Sequence, residues 1–130
     1  MADHYQRIGG AALAACPEAV EKLLLYAEVE DGVSSADLFF QLHGESVVRF
    51  RFAPSELRDL VVEFWETGEG PAGPGSWAAF SFVVEGGQFS VNLIYPEQFV
   101  ADEGLAERRP RAIAACFPGM AVDYSRPSGQ

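Results

Sequence analysis

The clearest pattern in the chain is the alternation in GSWAAFSFVVEGGQFSVNLIY, from Gly75 to Tyr95. Every second residue on either side of Gly86-Gly87 is large and apolar, as in a half-buried β-hairpin with a two-residue type I′ turn. That turn sets Val84 opposite Phe89, Phe82 opposite Val91 and Phe80 opposite Leu93, all pointing one way. The other face carries Ala79, Ser81 and Val83 against Ile94, Asn92 and Ser90. It is small and mildly polar, and three roles compete for it: a solvent face, a face beneath a helix, or a flat docking surface. Ala79, Val83 and Ile94 are too apolar for a bare surface, which favours helix cover.

The same patterns organise the rest. His4 to Ala15 reads as a helix with Tyr5, Ile8, Ala12 and Ala15 on one side, weakened by Gly9-Gly10 and ended by Pro17. In the next stretch, Glu18 to Asp31, propensity favours helix. A strand from Leu23 would align Leu25, Ala27 and Val29, and the pattern does not decide between the two. Asp31-Gly32 and Ser34-Ser35 mark a turn. ADLFFQL and SVVRFRF then read as strands around His43-Gly44-Glu45, with Phe40 opposite Val48, Leu38 opposite Phe50 and Asp37 opposite Arg51. A one-residue slip would set Phe40 against Arg49, so the pattern selects the first register.

Ser55 is suited to cap a helix with Leu57, Leu60, Val61 and Phe64 on its inner stripe and Glu56, Asp59, Glu63 and Glu66 off it. TGEGPAGPG ends that helix in a loop. Pro96 closes the hairpin, Glu97 to Gly104 is a polar connection, and Pro110 suits the first turn of a last helix ending before Pro118-Gly119. Residues 119–130 read as a frayed tail with at most a short extended piece. Without repeats or long linkers, this is one α+β domain over residues 1–130. Its antiparallel sheet is built of a meander and a hairpin, with N-terminal, central and C-terminal helices.

Composition narrows the function classes. Acidic residues outnumber basic ones 19 to 9, a net charge of −10, which argues against nucleic acid or an anionic membrane as partner and permits a basic one, although charge alone is more simply read as solubility. No apolar run approaches the roughly 20 residues that span a bilayer. The start, MADHYQRIGG, lacks the charged and apolar regions of a signal peptide, so a cytoplasmic chain is expected. Cys16 and Cys116 read as buried small hydrophobes. His4 and His43 have no metal-ligand spacing, and no catalytic or phosphate-loop motif occurs, so neither an enzyme nor a cofactor is expected. Arg108-Arg109 could grip an anion, but cations near a helix start or pairing with Glu107 are commoner.

The order of elements, together with particular residues, resembles the YezG-like family of bacterial antitoxin and immunity proteins. The likeness runs from about Tyr5 to Gly119. It is carried by Pro17-Glu18, by Phe39, Phe40 and Phe50, and by the Leu57–Trp65 helix. Further along it rests on Trp77 with Phe80 and Phe82, on GGQF and Tyr95, and on the Glu107-Arg108 pair. Two positions depart from it. Pro96 stands where an acidic residue is expected, and Pro110 where a helix-compatible residue is followed by Trp. The last helix is therefore expected to be shorter or shifted.

The resemblance implies an α+β fold and a protein that neutralises a polymorphic toxin, often a nuclease, by binding it. That would explain the acidity, because a nuclease cleft is basic. The acidic edges at Glu28, Glu30 and Asp31 and the helix carrying Asp59, Glu63 and Glu66 are the expected partner-binding residues, with Trp77 as an exposed anchor, although a Trp at a strand start more often plugs a sheet edge against a helix. Two alternatives are a self-associating or protein-interaction domain unconnected to a toxin, and a small ligand-binding protein or enzyme with a pocket between sheet and helices.

Overall fold

The computed structural model describes residues 2–30, 33–67, 75, 77–99 and 103–124. Helix α1 (Ala2–Ala14) leads into strands β1 (Val20–Glu30), β2 (Val33–Leu42) and β3 (Val47–Phe52). Helix α2 (Ser55–Thr67), the hairpin β4 (Ala79–Glu85) and β5 (Gln88–Ile94), and a 3₁₀ turn (Pro96–Gln98) follow. Helix α3 (Leu105–Cys116) and strand β6 (Ala121–Asp123) complete the order. The six strands form one sheet in the order β5-β4-β1-β2-β3-β6, antiparallel except where β6 runs parallel to β3. This is the α+β class expected, and Ala121–Asp123 of the expected tail are sheet residues.

Within the ambiguous stretch Val20–Glu30 is a strand. Leu23 to Ala27 are five consecutive residues with essentially no exposure. A helix buries one stripe, whereas a strand covered on both faces buries every position. Central β1 is covered in this way. Leu23, Leu25, Ala27 and Val29 meet α1 and α2 through Ile8, Ala12, Leu57, Val61 and Phe64. Leu24 and Tyr26 meet α3 through Ile113, Cys116 and Phe117. The packing is thus helices, sheet, helix. Gly9 lets α1 approach closely, since a Cβ there would stand 3.3 Å from the Phe82 ring.

Burial on both faces also overturns the expected β2–β3 register. Phe40 pairs with Arg49, Leu38 with Arg51, Phe39 with Phe50 and Asp37 with Phe52. The slip rejected on a single-face argument is the one that occurs, because Phe39 and Phe50 have their own apolar layer beneath α3. Their ring centroids are 5.5 Å apart. The arginines placed on the opposite face find local partners. Arg49 makes a two-pronged pair with Glu45 at 2.7 and 2.8 Å, and Arg51 donates to the carbonyl of Ala15 at the end of α1. A cation there also complements the helix dipole.

The hairpin follows its pattern residue for residue. Val84 pairs with Phe89, Phe82 with Val91 and Phe80 with Leu93. Gly86 and Gly87 take φ of 61° and 78°, the left-handed values a type I′ turn needs. Two helix starts differ from expectation. The Pro54 carbonyl accepts from the Arg58 N–H, so Ser55 is the first helical residue of α2 rather than its cap. Helix α3 begins at Leu105, with Gly104 as cap and the Glu107 carboxylate accepting from the Gly104 N–H at 3.3 Å. Pro110 therefore lies inside the helix, where the Ala106 carbonyl has no N–H to receive.

Both cysteines are free thiols, and burial pushes Cys16 up to about 11. At pH 8 its thiolate fraction is then about 100-fold below that of an unperturbed thiol. Iodoacetamide is expected to label native Cys16 at least that much more slowly than the urea-unfolded chain; equal rates would show the thiol to be open.

Candidate functional site

Two regions hold the charged side chains that sequence reasoning singled out, and the structure treats them in opposite ways. The first lies between α3 and the small face of the hairpin. Here Arg108 donates to both oxygens of Glu28, each at 2.8 Å, and both side chains are 15% exposed. The Tyr26 hydroxyl donates to the same carboxylate at 2.7 Å, and burial, reinforced by Glu28, raises its pKa. Arg108 also donates to the Glu103 carbonyl at 2.6 Å and stacks over the Phe99 ring at 3.9 Å. Beside it, Arg109 reaches Asp37 at 2.7 Å, and Arg111 pairs with Glu103, whose carboxyl it holds below the usual range.

These pairs answer what the small hairpin face is for. Helix α3 covers it, as favoured from its composition, with Ala79 buried and Val83 and Ile94 packed against the layer that holds Ile113 and Cys116. Cover is incomplete: a cavity of about 370 Å³ remains between Leu24, Val83 and Ile94 on the sheet and Ala112 and Ala115 on the helix. The charged groups at its rim, Glu103, Arg108 and Arg111, are already engaged with one another or with Glu28. A free general acid or base there would need a carboxyl or imidazole not already held by arginine.

The second region is the outer side of α2. Glu56, Asp59, Glu63 and Glu66 fall within about 80° of one another around the helix axis, since each residue turns it by about 100°. All four are exposed. Glu63 receives His4 at 3.1 Å and Arg7 at 2.9 Å from α1. No ion pair engages Glu56, Asp59 or Glu66 among the described residues. A groove of about 690 Å³ runs between the helices, with Glu56, Asp59 and Glu63 on one wall and Gln6, Gly10 and Ala11 on the other.

The predicted partner-binding residues therefore separate. Asp59, Glu63 and Glu66 stand together on an open acidic face. Glu28 is a different case: its carboxylate is clamped by Arg108, because it points into the α3 layer from the even-numbered side of β1. Glu30 ends β1, and Asp31 lies outside the described residues. Trp77 is 2% exposed and packs against Phe64 and Phe80, at centroid distances of 5.8 and 5.2 Å. It is a core residue rather than an exposed anchor. Trp65, which the sequence reading passed over, fastens this corner by donating from its indole to the Trp77 carbonyl at 2.8 Å.

The pairing of Asp37 with Arg109 was also missed. The usable signal was a single acid in the apolar run ADLFFQL, which demands a cation; Arg51 was the nearer choice on the assumed register. Among the described residues no group of three or more His, Cys, Asp or Glu side chains could hold a metal ion, and no helix is long and apolar enough to cross a membrane. No protein-family model matches this chain, and no curated protein matches it either.

Proposed function

We propose that this protein is a non-enzymatic, immunity-like protein that captures a basic toxin domain, such as a nuclease, in the cytoplasm and blocks it. The observation that carries this reading is the distribution of charge. Among the described residues nearly every cation is committed within the fold: Arg7 to Glu63, Lys22 to the Cys116 carbonyl, Arg49 to Glu45, Arg51 to Ala15, and the three arginines of α3 to Glu28, Asp37 and Glu103. The uncompensated acids are left outside, and α2 carries three of them, Glu56, Asp59 and Glu66, on one exposed side, the first two beside a groove. Such a field attracts a basic cleft and speeds its capture, and the gain falls as salt screens it. The resemblance to YezG-like immunity proteins points the same way.

The test is affinity capture from the native host, at low and high salt, with the wild type and with Glu56→Gln/Asp59→Asn/Glu66→Gln. The wild type is expected to retain a basic toxin-domain protein that dissociates at high salt. The triple variant, which removes only exposed charges, should retain at least about tenfold less of it at low salt. Failure to recover any basic partner, or equal capture by the triple variant, would overturn this assignment.

A further inference from the structure

The outer edge of the sheet at β5 is built unlike the edge of a monomeric protein. Sheet edges expose a row of free N–H and C=O groups, and proteins guard them with charges, proline, bulges or short length. The opposite edge follows this rule, since β6 has three residues and ends at Asp123. Strand β5 does not. Its seven residues, QFSVNLI, contain no charge and no proline in a chain of net charge −10, and they pair with β4 in unbroken register. Among the described residues no strand pairs with its outer side.

The free groups on that edge can be identified. The Gly86-Gly87 turn makes Glu85 and Gln88 a hydrogen-bonded pair, so Ser90, Asn92 and Ile94 also bond inward to β4. The N–H and C=O of Phe89, Val91 and Leu93 therefore face outward. Arranged antiparallel to itself about Val91, the strand is complementary to its own edge. Val91 meets Val91 of a second copy, and Phe89 meets the second copy's Leu93, so that all the outward groups pair in about six hydrogen bonds. On the α3 side Ser90 comes opposite the second copy's Asn92, two neutral groups able to hydrogen-bond. On the α1 side Phe89, 45% exposed although stacked on Phe82 at 5.3 Å, gains an aliphatic neighbour.

We propose that two copies of this protein associate through β5, giving a two-fold dimer with a continuous sheet across the seam. An isologous edge contact needs a self-complementary strand, and this one has it in both backbone register and side chains. A seam of seven residues is small beside the roughly 1,200–2,000 Å² of a standard interface, so a dissociation constant in the micromolar range is expected.

Sedimentation equilibrium combined with amide hydrogen exchange tests this on the intact wild-type chain. The mass should rise from 14.1 kDa towards twice that value with concentration. The amides of Phe89, Val91 and Leu93 should become protected over the same range, while those of Ser90 and Asn92 are protected throughout. Val91→Pro removes an outward N–H and leaves the β4 ladder intact, and should raise the dissociation constant at least about 100-fold. Should that variant fail to fold, Ser90→Lys/Asn92→Lys, at two exposed positions, sets like charges across the seam and should do the same. A chain that stays at 14.1 kDa at sub-millimolar concentration would overturn the proposal, including the case in which β5 accepts only a strand of some other protein. So would a dimer in which the amides of Phe89, Val91 and Leu93 stay unprotected or which the substitutions do not weaken, since it would then use another surface, such as Phe52 and Tyr124.

Discussion

Phe82→Asp is expected to leave this protein without a stable folded state. Phe82 has no exposed surface on β4, between β1 and β5, where it pairs with Leu25 of β1 and Val91 of β5 and lies against the Phe80, Phe89 and Tyr5 rings. Truncating such a ring costs about 3–5 kcal/mol, and the unpaired carboxylate that replaces it costs several more. Domains of this size are stable by about 5–15 kcal/mol, so most or all of the margin is lost. Circular dichroism of the purified variant should show loss of the cooperative thermal transition. Phe89→Ala is the control: the same face and hairpin, but a partly exposed edge residue, expected to lose only about 1–2 kcal/mol. A cooperative transition for Phe82→Asp within a few degrees of wild type would mean that the core is not organised around this hairpin.

The second large effect is expected at Asp37 and Arg109, and it is asymmetric. The Asp37 side chain is 6% exposed and the Arg109 side chain 28%. Arg109→Met strands the carboxylate beneath α3, with little access to water, at a cost of about 2–4 kcal/mol. Asp37→Leu costs less, because the long arginine can swing its head into solvent. The double variant Asp37→Leu/Arg109→Met should return to within about 1 kcal/mol of wild type, since desolvation offsets most of the attraction within a buried pair. The Nε of Arg109 is buried without a partner among the described residues, which lowers the pair's net value further. Urea unfolding of the four proteins gives the coupling energy directly. A loss below about 1 kcal/mol for Arg109→Met would show that water reaches Asp37 freely.

Much of the fold was legible because its signals are local. The hairpin register followed from Gly86-Gly87 and the alternation around them, and both lie within twenty residues of chain. The α2 stripe of Leu57, Val61 and Phe64 needed only helical periodicity. The small face of the hairpin was assigned to helix cover from the apolar character of Ala79, Val83 and Ile94 alone. Reading failed where a second buried face mattered. Leu23 to Ala27 match neither a one-faced helix nor a one-faced strand, and Phe40 opposite Arg49 looked wrong only while Phe39 and Phe50 had nothing to pack beneath.

The charged residues show the same divide. Asp59, Glu63 and Glu66 were placed correctly on one exposed side because helix geometry relates them at short range. Glu28 was expected at a surface, yet its partner Arg108 lies 80 residues away, and Asp37 is bound by Arg109, 72 residues away. By itself, then, the sequence determined the α+β class, the hairpin, the central helix and a net acidic character, since backbone propensity, turn chemistry and composition act over a few residues. Only the tertiary structure decided which acids are neutralised within the fold and which remain exposed. For Glu28 and Asp37 that choice depends on which distant cation the packing of α3 brings within hydrogen-bond range, and no local window of sequence contains both partners.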